Sequence, residues 1–300
     1  MNKTVLGTIV GTALLGLAKS KLGQKSQTKH CFISWSGGMD STALVVKKLS
    51  EGYTVHAVSF EYGQKHSIEL ERLQQNIKYF AENGIFVEHL LIKLEREYTT
   101  DISSNSRERS SSLLKGGEAV PQGFYEQENM KSTVVSNRNA IFSSLLYAEA
   151  HQFATTNNTQ VEISLGVHSG DHAIYPDCTP KFYEELYKAF STGNWNSDLV
   201  VLSLPYIKDD KAIILRDALK ACEKLGLDFD TVFANTNTSY DPDEYGRSSG
   251  KTGADVERIL AFHQIGRKDP VPYVMGWEKS LEFALQKEAA FNRNKKGKSK

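Results

Sequence analysis

Cysteine is scarce in this chain: three in 300 residues, at Cys31, Cys178 and Cys222, odd in number and far apart. That set excludes a disulfide framework and an all-cysteine tetrahedral metal site, and it suits a reducing compartment. A cytoplasmic location is therefore expected. Net charge is lacking as well, because 36 Lys and Arg balance 36 Asp and Glu. No global field then draws the chain to nucleic acid or anionic lipid, and no direct nucleic-acid partner is expected. A long apolar run is also missing. The nearest thing to one, "VLGTIVGTALLGLA" at 5–18, is too short to span a bilayer comfortably. With Lys3 before it and Lys19, Lys21 and Lys25 after it, it reads in three ways: an amphipathic helix that packs or binds a partner, a membrane contact, or a cleaved signal segment. No internal repeat is present.

What is there begins at residue 30. "KHCFISW" is short, apolar and β-rich, and "DSTALVVKKLSEG" has a helical period closed by Gly52. A second strand "TVHAVSFEYG", a helix "SIELERLQQNIKYFAENG" and a third strand "FVEHLLIKL" follow. The alternation resumes with the helix "NRNAIFSSLLYAEAHQFATT", the strand "VEISLGVH", the helix "PKFYEELYKAFSTG", the strand "LVVLSLPY" and the helix "KAIILRDALKACEKLG". Strands alternating with helices predict an α/β fold, a doubly wound and mostly parallel sheet of Rossmann-like type, here followed by a helical C-terminal part. Three regions result: an N-terminal extension at 1–29, one domain at 30–270 carrying a long functional loop at 95–131, and a C-terminal helix with a basic tail at 271–300. The tail "NRNKKGKSK" reads as disordered.

One turn carries the chemistry. "SWSGGMDST" at 34–42 falls between the first strand and the first helix, where a doubly wound sheet binds its ligands. Gly37 and Gly38 allow the backbone to approach an anion, and the hydroxyls of Ser36, Ser41 and Thr42 add donors. Asp40 would repel a bare phosphate; it makes sense if a divalent cation such as Mg²⁺ lies between the two. The turn is expected to hold a pyrophosphate. A rival, "GRSSGKTG" from Gly246, fails as a phosphate loop because three residues separate Gly246 from Gly250 where four are needed.

"SGGMDS" resembles the Ser-Gly-Gly-x-Asp-Ser signature of the PP-loop ATP pyrophosphatases, whose members activate an oxygen by adenylation and release pyrophosphate. Further blocks, "SFEYGQKH" (59–66), "SNRNAIF" (136–142), "DHAIYPDCTPKF" (171–182) and "DDKAIIL" (209–215), come in the order and spacing of the 7-cyano-7-deazaguanine synthase (QueC) family. The resemblance covers about residues 30–270. It implies an ATP-dependent carbon–nitrogen ligase that adenylates a 7-carboxy-7-deazaguanine, admits an amine, and with ammonia goes on to amide and nitrile. ATP and Mg²⁺ are the implied cofactors.

On this resemblance Lys211 reaches the ATP phosphates, Asp40 holds the metal, and Tyr62 and His66 line the ATP site. Arg138 clamps phosphate or carboxylate, and Asn139, Asp171, Tyr175, Pro176 and Asp177 meet the base, Tyr175 by stacking. Plainer readings stand beside these. Arg138 could make an ordinary helix-terminal salt bridge, Asp209 and Asp210 could simply cap a helix, His66 could sit on the surface at a helix start, and "YPD" could stiffen a turn.

The resemblance breaks at one place. Family members hold a structural zinc with four cysteines, and the corresponding positions here are Ser239, Ser249, Thr252 and Asp255. Zinc is therefore not expected. Whatever the metal holds elsewhere must here be held by hydrogen bonds or packing. In this the chain resembles the zinc-less, diverged members found in anti-phage defence operons of CBASS and Qat type. There the acceptor could be an amine of a partner protein, engaged through the N-terminal helix. A homodimer, and an ATP-binding regulatory or assembly subunit without turnover, are the other expectations.

Overall fold

The computed structural model describes residues 28–64, 68–94, 111, 120, 122–123, 133–168, 170, 175–239 and 242–298. The reading of 1–29 as an extension falls almost wholly outside them, as does most of 95–131. Five strands, β1 (Lys29–Ser34), β2 (Tyr53–Glu61), β3 (Glu88–Lys93), β4 (Val161–Ser164) and β5 (Val200–Ser203), form one sheet in the order β3-β2-β1-β4-β5. All four pairings are parallel. The fold is α/β, as the alternation predicts. β1 sends its chain to β2 on one side and pairs with β4 on the other, so a crevice opens beyond the carboxyl ends of β1 and β4.

Strand side chains point alternately to the two faces, and both faces are covered. Cys31 and Ile33 of β1 join Val55 and Ala57 of β2 in one core. Against them pack α1 (Met39–Ser50), α2 (Ile68–Glu82) and α5 (Lys211–Leu225), with Leu44, Phe80 and Leu215 fully buried. Phe32, Val58 and Phe60 face the other way, into a core shared with Ile163, α3 (Arg138–Asn157) and α4 (Pro180–Gly193).

The C-terminal part is helical: α6 (Phe229–Ala234), α7 (Gly253–Gln264) and α8 (Trp277–Lys298). The short α6 has no counterpart in the sequence reading. It is six residues long, too short to show a period, and it is held by tertiary burial of Phe229, Val232 and Phe233 and by the Asp228 cap. The basic tail is a correction. α8 continues through it to Lys298 instead of breaking into coil, since Lys and Arg are good helix formers and their charge suits a helix C-terminus. No helix among the described residues is long and apolar enough to cross a membrane.

Candidate active site

The glycine turn occupies the predicted crevice. Gly37 has φ of 86°, and a Cβ there would sit 2.2 Å from the Glu69 carbonyl oxygen. Only glycine fits both the left-handed backbone and the close pass over α2. Gly38 precedes α1 without any side-chain cap on that helix, so the first amides of α1, which lack intrahelical acceptors, are available to an anion. Ser36 and Ser41 hydroxyls lie 3.1 Å apart at the same mouth, with Ser36 Oγ accepting from the Gly38 amide at 3.2 Å. Gly166, just past β4, is so near α1 that a Cβ would come within 3.3 Å of the Asp40 carbonyl oxygen.

Thr42 is a correction. Its hydroxyl is fully buried and accepts from Trp35 Nε1 at 2.9 Å, so it fastens β1 to α1 and does not face the crevice. The helical turn that brings Ser41 to the mouth carries its neighbour about 100° round into the core.

Asp40 Oδ2 lies 3.6 Å from Lys211 Nζ and 3.9 Å from His168 Nε2. Its Oδ1 is buried and has no hydrogen-bond partner among the described residues. Lys211 is the first residue of α5, placed there because Asp210 caps the helix by accepting from the Ile213 amide at 2.9 Å. Capping by Asp210 and a phosphate-directed Lys211 are thus compatible. The mostly buried Lys211 also pairs with Glu257 of α7 at 3.0 Å. Glu257 and His168 lie outside the matched blocks; only the topology brings His168 to Asp40 and Glu257 to Lys211.

Across the crevice, Arg138 opens α3, and its guanidinium hydrogen-bonds the Tyr62 hydroxyl. Beside them lies Glu69, in the first turn of α2, whose carboxyl burial pushes up to about 8 against the opposing pull of Arg138. Sequence reasoning missed Glu69 because its amphipathic helix gives no sign of which residue meets the ligand. Asn139 Nδ2 points to Cys178 Sγ at 3.3 Å and to the Asp177 carbonyl at 3.5 Å.

Ser36, Gly38, Asp40, Ser41, Tyr62, Arg138, Asn139, Tyr175 and Lys211 are brought together around one cleft of about 270 Å³. Glu69, Asn237, Thr238 and Cys178 also line it. Of the "YPD" set only Tyr175 reaches it. The Tyr175 ring is buried with its hydroxyl bonded to Thr133, Pro176 turns to solvent, and Asp177 offers its backbone to Asn139. His66 and Asp171 lie outside the described residues.

Comparison with known proteins gives the family. The family model described as "Queuosine biosynthesis protein QueC" matches residues 30–266. The chain is 38% identical over 241 residues to 7-cyano-7-deazaguanine synthase 1 of Colwellia psychrerythraea, covering 80% of this chain and 97% of that one. It is 37% identical over 246 residues to the 7-cyano-7-deazaguanine synthase of a Marinomonas species, covering 82% and 99%. The family model and these relatives lead to one statement: the chain belongs to the QueC family.

Proposed function

We propose that this chain is an ATP-dependent ligase that adenylates the carboxylate of a 7-carboxy-7-deazaguanine and then admits an amine, with ammonia giving amide and, after a second activation, nitrile. The observation that supports it most is the uncapped α1 N-terminus behind a glycine turn, faced by Asp40 and Lys211. That arrangement suits polyphosphate, and the names of the relatives supply the 7-deazaguanine class through its 7-cyano product.

A carboxylate is a poor electrophile. Its oxygen attacks the α-phosphorus of ATP and pyrophosphate leaves. Ammonia then attacks the acyl carbon and AMP leaves with the acid's oxygen. In the second round the amide oxygen is adenylated, and loss of AMP and two protons leaves the nitrile. The α1 amides and the hydroxyls of Ser36 and Ser41 hold phosphate oxygens, while Lys211 offsets the charge that grows on the departing pyrophosphate. The orphaned Asp40 Oδ1 fits a cation; Asp40 would hold Mg²⁺, which when bound supplies further neutralisation of the phosphates. Tyr62 and Arg138 line the cleft nearby, and Asn139 and Tyr175 form its base-binding end. His66 and Asp171 keep their assignments to nucleotide and base.

Sulfur transfer by a cysteine is disfavoured at two of the three positions. Burial pushes the thiols of Cys31 and Cys222 up, the latter to about 12, which leaves almost no thiolate at neutral pH.

Pyrophosphate release with ATP, Mg²⁺, ammonium and 7-carboxy-7-deazaguanine tests the proposal. Release is expected to require the acid, and Asp40→Asn or Lys211→Ala to slow it on the order of 100-fold or more with melting temperature retained. Release that ignores the acid, or survives both substitutions, refutes it.

A further inference from the structure

Ser239, Ser249, Thr252 and Asp255 stand where the family resemblance calls for zinc-binding cysteines, and the structure brings all four together. Asp255, in the first turn of α7, is fully buried. Its Oδ2 accepts from Ser249 Oγ at 2.9 Å and Ser239 Oγ at 3.2 Å. It accepts as well from the amides of Gly250, Lys251 and Thr252, at 3.1, 3.2 and 3.2 Å. Thr252 completes the ring by accepting from the Asp255 amide at 3.2 Å, so the pair is also the capping box that starts α7. Gly250, with φ of 75°, makes the turn tight enough for three consecutive amides to face one point.

This donor set does not fit zinc. Tetrahedral zinc needs lone pairs converging on a point, preferably from thiolates or imidazoles. Here three neutral hydroxyl residues replace three thiolates, and five N–H and O–H protons converge on one carboxylate oxygen. The polarity of the site is inverted: donors surround a carboxyl that burial pushes above the usual carboxylate range against their pull, and its Oδ1 has no hydrogen-bond partner among the described residues.

The contacts around this centre lead to the nucleotide cleft. Ser239 ends the segment 235–239, and its carbonyl accepts from Asn237 Nδ2 at 2.9 Å. The Asn237 amide in turn donates to the Gly37 carbonyl at 3.0 Å, gripping the glycine turn itself. Asn237 and Thr238 are walls of the cleft. Three residues after Asp255, on the same face of α7, Arg258 grips the same segment. It donates to Thr236 Oγ1 at 2.7 Å, Thr238 Oγ1 at 3.0 Å and the Phe233 carbonyl at 3.1 Å, while Asp269 holds it bidentately.

We propose that Asp255 replaces the family's metal as the hub of this part of the molecule. Through Ser239 it is a positioning residue, holding the Asn237–Gly37 contact and with it the shape of the ATP-binding turn. The chain has thereby exchanged a metal-dependent hub for a metal-independent one.

Two measurements on the full chain decide it. Zinc content of the purified protein is expected to be far below one per chain, and the melting temperature to be unmoved by a zinc chelator. One zinc per chain, or a melting temperature that falls on chelation, overturns the hub. In the second, Ser239→Ala is expected to raise the ATP Kd, read by calorimetry, on the order of tenfold. Ser239→Thr, which keeps the hydroxyl, restores the affinity. A folded Ser239→Ala protein with unchanged ATP affinity overturns the positioning role. This second arm rests on the ATP reading above. Absence of ATP binding by the unsubstituted protein would refute that reading, and the zinc measurement would still judge the hub.

Discussion

Glu69 combines the two properties that make a single residue informative: it borders the cleft and its carboxyl is pushed up to about 8. In the unfolded chain the same group takes its ordinary value near 4.5. Between these two values the folded protein binds the proton that the unfolded chain releases. Stability from this group is therefore complete at acid pH and is lost as pH rises toward 8. Glu69→Gln, which is neutral throughout, is expected to flatten that slope in melting temperatures taken from pH 5 to pH 8. An unchanged slope would place the titrating group elsewhere. Residue by residue, the legible part of the site was the part that is local in sequence: Ser36, Gly38, Asp40 and Ser41 share one turn. Thr42 shared the motif and was misread, because Trp35 Nε1, buried beneath the turn, claims its hydroxyl. Glu69, on α2, and Glu257, on α7, were illegible because only the fold brings Glu69 to the cleft and Glu257 to Lys211.

At the scale of elements, α7 does the most. One face of it presents Asp255 and Arg258, a buried carboxyl and a buried guanidinium, to the segment that walls the cleft, while Glu257 on the same helix pairs with Lys211. The Arg258 guanidinium is 1% exposed and Asp269 is 3% exposed, so neither charge has water to fall back on. Arg258→Met would leave Asp269 buried with its main partner gone. The cost is expected to be about 3–5 kcal/mol of unfolding free energy by urea titration. A loss within the range of an exposed ion pair, about 1 kcal/mol or less, would show that Arg258 does not hold the segment. The sequence shows a helical C-terminal part, but it does not show what α7 grips. The strands were readable as short apolar, β-rich runs, and their flanking helices from Gly52, Gly84 and Gly226. α6 was too short for its period to show, and the basic end of α8 was misread because composition alone resembles a disordered tail.

For the whole molecule, the parallel order β3-β2-β1-β4-β5 places the crevice between β1 and β4, with the glycine turn at its floor. Helix α5 brings Lys211 to it, and α7, in the C-terminal part, brings Asp255 to the segment that walls it. The sheet could be anticipated from the alternation of elements. The closing of the C-terminal helices over the turn could not, because it rests on contacts such as Asn237 to Gly37, 200 positions apart in the chain. The central claim is that this assembly joins AMP to a carboxylate. The most direct test supplies 7-carboxy-7-deazaguanine with ¹⁸O in its carboxylate, together with ATP, Mg²⁺ and ammonium, and weighs the nucleotide product. An acyl-adenylate route hands one carboxylate oxygen to the nucleotide, so AMP carrying a single ¹⁸O is the predicted result. Unlabelled AMP, or ADP in its place, would contradict it.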